Sequence, residues 1–179
     1  MVRYRIEIAD AHAHLFSVTL TLERPAPRQR LSLPVWIPGS YLVREFARHL
    51  SGLTAHQGGR ELALQQLDKA TWLARCSGRG TLTLSYLVYA FDTSVRAAFL
   101  DAQRGFFNGT GVFLRVHGRE SDAHSMQIGT LPAGWEVATA MPPSPREHGF
   151  VAADYDALVE KVTIKARGRF ILRNGRFAL

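Results

Sequence analysis

A chain of 179 residues with 46 % apolar and 21 % charged residues is long enough to bury one sizeable core, and its composition is that of a globular domain. No run reaches the roughly 18 apolar residues of a membrane span, and Met1 to Glu7 has no apolar run of the kind a secretory signal carries. The 22 Lys and Arg against 15 Asp and Glu give a net charge of +7, and the single cysteine, Cys76, excludes an intrachain disulfide.

Arg3 to Ile8 and Leu15 to Glu23 alternate polar and apolar, which predicts two half-buried strands. Between them, Ala9 to His14 reads as a turn or an irregular strand edge in which His12 and His14 are solvated. Pro25-Ala26-Pro27 ends this arm, and Gln29 to Val35 predicts the next strand. A tight turn at Pro38-Gly39 follows, where Pro presets φ and Gly permits positive φ. From Ser40 to Leu53 the apolar residues Leu42, Val43, Phe46, Ala47 and Leu50 recur at helical spacing, so periodicity alone suggests a short helix or a bulged strand.

Leu53 to His56 and Arg60 to Leu64 predict a hairpin around Gly58-Gly59. Lys69 to Ala74, anchored by Trp72, and Thr81 to Val88 predict two more strands separated by a Gly-rich turn. Asn108-Gly109 reads as a hairpin turn leading into a strand from Gly111 to His117, and Ser125 to Ile128 predicts another. Met141 to Pro145, with three prolines, predicts surface loop. Asp154 or Asp156 is placed to cap a helical turn on which Leu158 and Val159 pack. Many short alternating stretches punctuated by Gly and Pro predict an all-β fold. It takes the form of an antiparallel β-sandwich or a curved saddle-like sheet with at most one or two short helices.

Site chemistry is sparse. His-Glu-x-x-His, a Gly-x-Ser-x-Gly elbow and both phosphate-cradling glycine motifs are absent. The histidines lack metal-ligand spacing, so no metal and no cofactor is expected in this chain. The cations are dispersed over Arg24, Arg28 and Arg30, then Arg75 and Arg79, then Arg167 to Arg176, so nucleic acid is not an expected partner.

Four segments carry a resemblance. Leu33-Pro34-Val35-Trp36-Ile37-Pro38-Gly39-Ser40-Tyr41 with Arg44 resembles a signature of the glycyl aminopeptidase family, thermolysin-like zinc metallopeptidases that often carry a PDZ domain. Tyr89 to Thr110, with its Tyr-Ala, Val-Arg and Phe-Asn-Gly, resembles the same family, as does Leu131-Pro132-Ala133-Gly134-Trp135. Ala153 to Glu160 resembles the family's passage into its catalytic domain, but beyond Val159, where the family continues with Asp, Pro, Val-Glu and Gly, the Pro is missing and three basic residues occupy the region.

The resemblance implies that residues 1–158 form a β-rich, non-catalytic N-terminal domain, and that 159–179 are a divergent tail or the start of the junction to a catalytic domain. It implies zinc in that catalytic domain, peptide substrates for the parent enzyme, and extended structure through 40–53. Trp36, Tyr41, Arg44, Asp101, Gln103 and Asn108 become candidates for lining the substrate cleft or the interdomain contact. Some self-association through that contact surface is expected, and cytoplasmic and periplasmic locations both stay open. The alternative is a free-standing β-sandwich that binds carbohydrate or protein, with Trp36, Trp72 and Trp135 as an aromatic platform.

Overall fold

The computed structural model describes residues 1–37, 42–77, 79–94, 96–145, 148–161, 165–166, 171–173 and 176–178, with side chains as far as Glu160. Its strands in chain order are β1 (Val2–Asp10), β2 (Leu15–Leu22), β3 (Arg28–Ser32), β4 (Leu50–Gln57), β5 (Arg60–Glu61), β6 (Leu64–Asp68), β7 (Thr71–Arg75) and β8 (Leu82–Tyr89). They continue with β9 (Ala98–Leu100), β10 (Gly105–Phe107), β11 (Arg115–Val116), β12 (His124–Ile128), β13 (Trp135–Glu136) and β14 (Phe150–Ala152). Helix α1 (Tyr155–Lys161) follows, then β15 (Lys165–Ala166), β16 (Ile171–Arg173) and β17 (Arg176–Ala178).

The main sheet runs β14-β12-β1-β2-β8-β4-β5, and a second sheet runs β11-β3-β7-β6. Every pair is antiparallel except β1 with β12. The period-2 pattern explains the main sheet directly. Tyr4 and Ile6, Val18 and Leu20, and Leu84 and Tyr86 point to one face and are buried. Thr19, Thr21, Thr83 and Ser85 take the other face, which is polar. Leu31, Trp72, Ala74 and Val116 of the second sheet pack into the same core. The all-β expectation holds, with one α-helix among the described residues.

Local expectations fared unevenly. The hairpin between β4 and β5 turns at Gly58 (φ 59°) and Gly59 (φ 78°), both in the left-handed region that Gly tolerates. Asp154, rather than Asp156, caps α1 by accepting the Ala157 N–H at 2.7 Å, and Leu158 and Val159 are buried. The extended stretch implied for 40–53 is corrected at Phe46–His49, which is a 3-10 turn; Leu50–Gln57 is strand, and residues 40 and 41 lie outside the described residues. Phe46 is buried against Gly111 while Leu42 and Val43 are exposed, so the helical spacing anticipated only the turn at Phe46–His49. Strands β6, β9, β10 and β14 have no counterpart in the expected set. The Pro38-Gly39 turn and the basic side chains from Arg167 onward lie outside the described residues.

Asn108-Gly109 is not a hairpin turn. Asn108 is extended (φ −86°), and its side-chain oxygen accepts the Thr110 N–H at 3.0 Å, capping a second 3-10 turn at Gly109–Gly111. Gly109 is needed for a different reason: a Cβ there would lie 2.7 Å from the Val159 Cα of α1. The clash is with backbone, so relief requires the helix to move. Gly109→Ala is expected to destabilise the fold by about 1–3 kcal/mol, read as a lower urea midpoint at unchanged slope.

The strand expected over Gly111–His117 is confined to Arg115–Val116. Val112, Phe113 and Leu114 are fully buried outside any ladder, so their backbone polar groups need other partners. Three buried tyrosines supply them. Tyr86 donates its hydroxyl to the Val112 carbonyl at 2.8 Å, Tyr155 to Phe113 at 2.7 Å and Tyr4 to Leu114 at 2.7 Å. The Tyr86 oxygen also accepts the Leu114 N–H at 3.3 Å, while the N–H groups of Val112 and Phe113 donate to the Gly109 carbonyl. Burial pushes all three phenols above their ordinary range, so they remain donors. Side-chain hydroxyls from β1, β8 and α1 thus replace a neighbouring strand.

His124 sits in the same place, fully buried, with Nδ1 donating to the Asp122 carbonyl at 2.7 Å and its ring beside Tyr4 and Tyr155. Its Nε2 is buried without a hydrogen-bond partner. Desolvation lowers its pKa despite the Asp122 carbonyl, which favours the cation. The folded pKa then lies below the unfolded value of about 6.5, so the unfolded chain binds more protons between the two. The stabilisation from a neutral His124 is complete above that unfolded value and is lost as pH falls through the window beneath it. The expected result is a urea midpoint that falls from pH 7 to pH 5, and that falls less in His124→Gln. His49 and His117, also lowered by burial, add to the same slope and remain in the variant.

Candidate functional site

An open cleft of about 350 Å³ lies between the segment 42–49 and the end of β8 with the start of β9. Arg44, Arg48, His49, Tyr89, Phe91 and Asp92 are among its lining. Alternation along β8 continues past its end: Val88 and Ala90 are buried, whereas Tyr89 and Phe91 face outward. The 3-10 turn turns Phe46 inward and leaves Arg48 at the surface. The backbone N–H of Arg44 donates to the Val35 carbonyl at 2.6 Å, which brings Val35 and Trp36 alongside.

The cleft is the centre of an apolar face. Large exposed hydrophobics among the described residues are few, and most of them gather here. Leu42 (66 % exposed), Val43 (74 %), Tyr89 and Phe91 line the cleft, and Val35 and Trp36 adjoin it through that bond. A ring ladder extends the face along the β9–β10 hairpin. His49 stacks near Tyr89, Tyr89 meets the edge of His14, His14 stacks on Phe91, Phe91 on Phe99, and Phe99 on Phe106. The Arg104 guanidinium sits 5.0 Å over the Phe99 ring. His14, expected to be solvated, is therefore half-buried in this ladder, with Nδ1 bonded to the Leu100 carbonyl.

Arg48 Nε donates to His49 Nε2 at 3.0 Å, so that nitrogen carries no proton. Burial and the Arg48 charge lower the His49 pKa, opposed by Asp92. Glu45 is paired with Lys69 at 2.8 Å, and the Asp92 carboxylate accepts the Ser94 N–H at 2.8 Å.

The candidate residues separate into groups. Arg44 lines the cleft and Trp36 adjoins it; Tyr41 lies outside the described residues. Asn108 joins the cleft through its backbone, donating to the carbonyl of the lining residue Ala97 at 2.8 Å. Asp101 caps the tip of the β9–β10 hairpin by accepting the N–H groups of Gln103 and Arg104, each at 2.7 Å, and Gln103 is exposed at that tip. Sequence reasoning missed Arg48, His49, Tyr89 and Phe91. The available signal was two large aromatics at alternate positions on the outward side of a strand whose inward side is apolar. The three tryptophans do not share a surface, since Trp72 is buried in β7.

The family profile of the peptidase M61 N-terminal domain matches residues 3–161. No curated protein matches the chain. Among solved structures, an aminopeptidase N family protein from Idiomarina loihiensis shares 39 % identity at a TM-score of 0.88, covering 99 % of this chain. The present chain spans 31 % of the length of that protein. An M1 zinc metallopeptidase from Deinococcus radiodurans (15 % identity, TM-score 0.48) covers 93 % of this chain and 38 % of its own. Yeast LTA4 hydrolase (10 % identity, TM-score 0.47) covers 92 % and 28 %. The last two are too remote to bear on function. The motifs around Trp36, Phe107-Asn108-Gly109 and Trp135, the profile match and the 39 % relative agree: this chain belongs to the peptidase M61 N-terminal domain family.

Proposed function

We propose that this domain buttresses the catalytic domain of a zinc-dependent peptidase of aminopeptidase type and walls one side of its peptide cleft. The observation that carries the reading is the gathering of Val35, Trp36, Leu42, Val43, Tyr89 and Phe91 around one cleft. A contiguous exposed apolar face is a docking surface, and ligand clefts form preferentially where two domains meet. Arg44 and the Asn108 turn stand at the edge of that contact in this reading, and Asp101 and Gln103 act at the hairpin tip.

The zinc implied by the family belongs to the catalytic portion. The donors in this chain do not fit it: His14 is committed to a backbone carbonyl and His49 to Arg48. Among the described residues, no three His, Cys, Asp or Glu side chains come together as a ligand set. The same face gives the chain, when isolated, a tendency to associate with itself.

Hydroxyl-radical footprinting tests the docking directly. Trp36, Val43 and Phe91 are expected to label readily in the 179-residue chain and to be protected in the longer protein. Equal labelling in both contradicts the assignment of this face. A reading as a free-standing module with a tryptophan platform gains no support, because Trp72 is unavailable to a ligand.

A further inference from the structure

The cleft lining is chemically divided in a way that matches one class of ligand. Tyr89 and Phe91 on one side and Leu42 and Val43 on the other supply apolar surface, and Arg44 and Arg48 line the same space. Of the two nearby carboxylates, Glu45 is paired with Lys69, and Asp92 accepts the Ser94 N–H and keeps its charge beside His49, so two arginines stand against one unpaired acid among the described residues of the lining. Arg48 uses Nε on His49, and its two terminal amino groups have no protein partner among the described residues. Such a planar pair of donors matches the two oxygens of a carboxylate.

We propose that the cleft binds the free α-carboxylate of an amino-acid residue with an apolar or aromatic side chain, Arg48 holding the carboxylate and Tyr89 and Phe91 the side chain. The residue has two possible sources, the C-terminus of a short peptide and a free amino acid. The assignment to a peptide end rests on the peptidase reading; the carboxylate site itself does not.

Titration of the 179-residue chain followed by nuclear magnetic resonance distinguishes these. N-acetylphenylalanine is expected to shift the Tyr89 and Phe91 ring signals and the Arg48 Nε–H saturably, and N-acetylphenylalaninamide to bind about tenfold more weakly, because it lacks the charge. Arg48→Gln reduces the acid to the level of the amide, and Arg48→Lys restores part of the difference. Arg48 is exposed, so both variants are expected to keep the remaining signals of the folded chain. Equal binding of acid and amide, or no shift with these two and none with free phenylalanine, overturns the site. Binding of free phenylalanine with exclusion of the N-acetyl form overturns the peptide source and leaves a free amino acid as the ligand. Acid-selective binding in a chain whose longer protein cleaves no peptide keeps the site and removes the peptidase reading.

Discussion

Replacing Tyr86 by phenylalanine is expected to destabilise the chain by about 2–4 kcal/mol, the largest single effect of removing one atom from this fold. The hydroxyl has two buried clients, the Val112 carbonyl and the Leu114 N–H, and neither has another partner at hand. Leaving a buried backbone group unsatisfied costs about 1–3 kcal/mol. At this chain length such a loss lowers Tm by roughly 10 °C. Tyr4→Phe and Tyr155→Phe each orphan one carbonyl and are expected to cost about half as much. The three hydroxyls serve consecutive residues, so the double and triple variants are expected to be non-additive. Thermal melts of the seven combinations check this. Losses below about 0.5 kcal/mol for all three singles would show that water reaches Val112–Leu114 and that the hydroxyls are dispensable.

Phe91→Asp is expected to behave oppositely in two settings. In the 179-residue chain the ring is more than half exposed (54 %), and the change is expected to leave stability within about 1 kcal/mol, with a small loss from the stacks on His14 and Phe99. In the proposed two-domain protein the same carboxylate would stand at the edge of an apolar contact, and docking is expected to weaken by about 2 kcal/mol. Val43→Glu repeats the test from the opposite side of the cleft. Limited proteolysis between the two domains, faster in both variants than in the parent, is the readout. Unchanged proteolysis in both contradicts the docking face.

The sequence and the structure agree best where one force decides. The strands β1, β2 and β8 were legible because burial acts on every second residue and nothing competes with it. The Gly58-Gly59 hairpin was legible because positive φ leaves few alternatives. Strand β6, Leu-Gln-Gln-Leu-Asp, was not, since four of its five residues are exposed and no apolar alternation marks it. The segment Val112–Leu114 reads as a strand because it is apolar and buried; only the distant tyrosines reveal that hydroxyls stand in for its neighbour. Asn108-Gly109 carries the usual residues of a tight hairpin, but Gly is there for the approach of α1, a contact about fifty residues away in sequence.

Of the residues singled out by motif resemblance, Arg44 lines the cleft, and Trp36 and Asn108 lie beside it. The resemblance could not separate Asp101, whose carboxylate is consumed in capping its own hairpin, from residues that face the opening. Tyr89 and Phe91 lie within a recognised segment, yet their outward direction follows from the register of β8 against β2 and β4.

Peptide hydrolysis by the 179-residue chain, set beside that of a longer protein carrying the proposed catalytic domain, decides whether the active site lies outside this domain. The substrates are short peptides with free N-termini, glycyl and alanyl ones included, assayed with and without a zinc chelator. Activation of water on zinc needs metal ligands and a general base, and the His-Glu-x-x-His that supplies them is absent from these 179 residues. The expected result is no cleavage by the chain alone and chelator-sensitive cleavage by the longer protein. Chelator-sensitive cleavage by the 179-residue chain, or none by the longer protein, would contradict it.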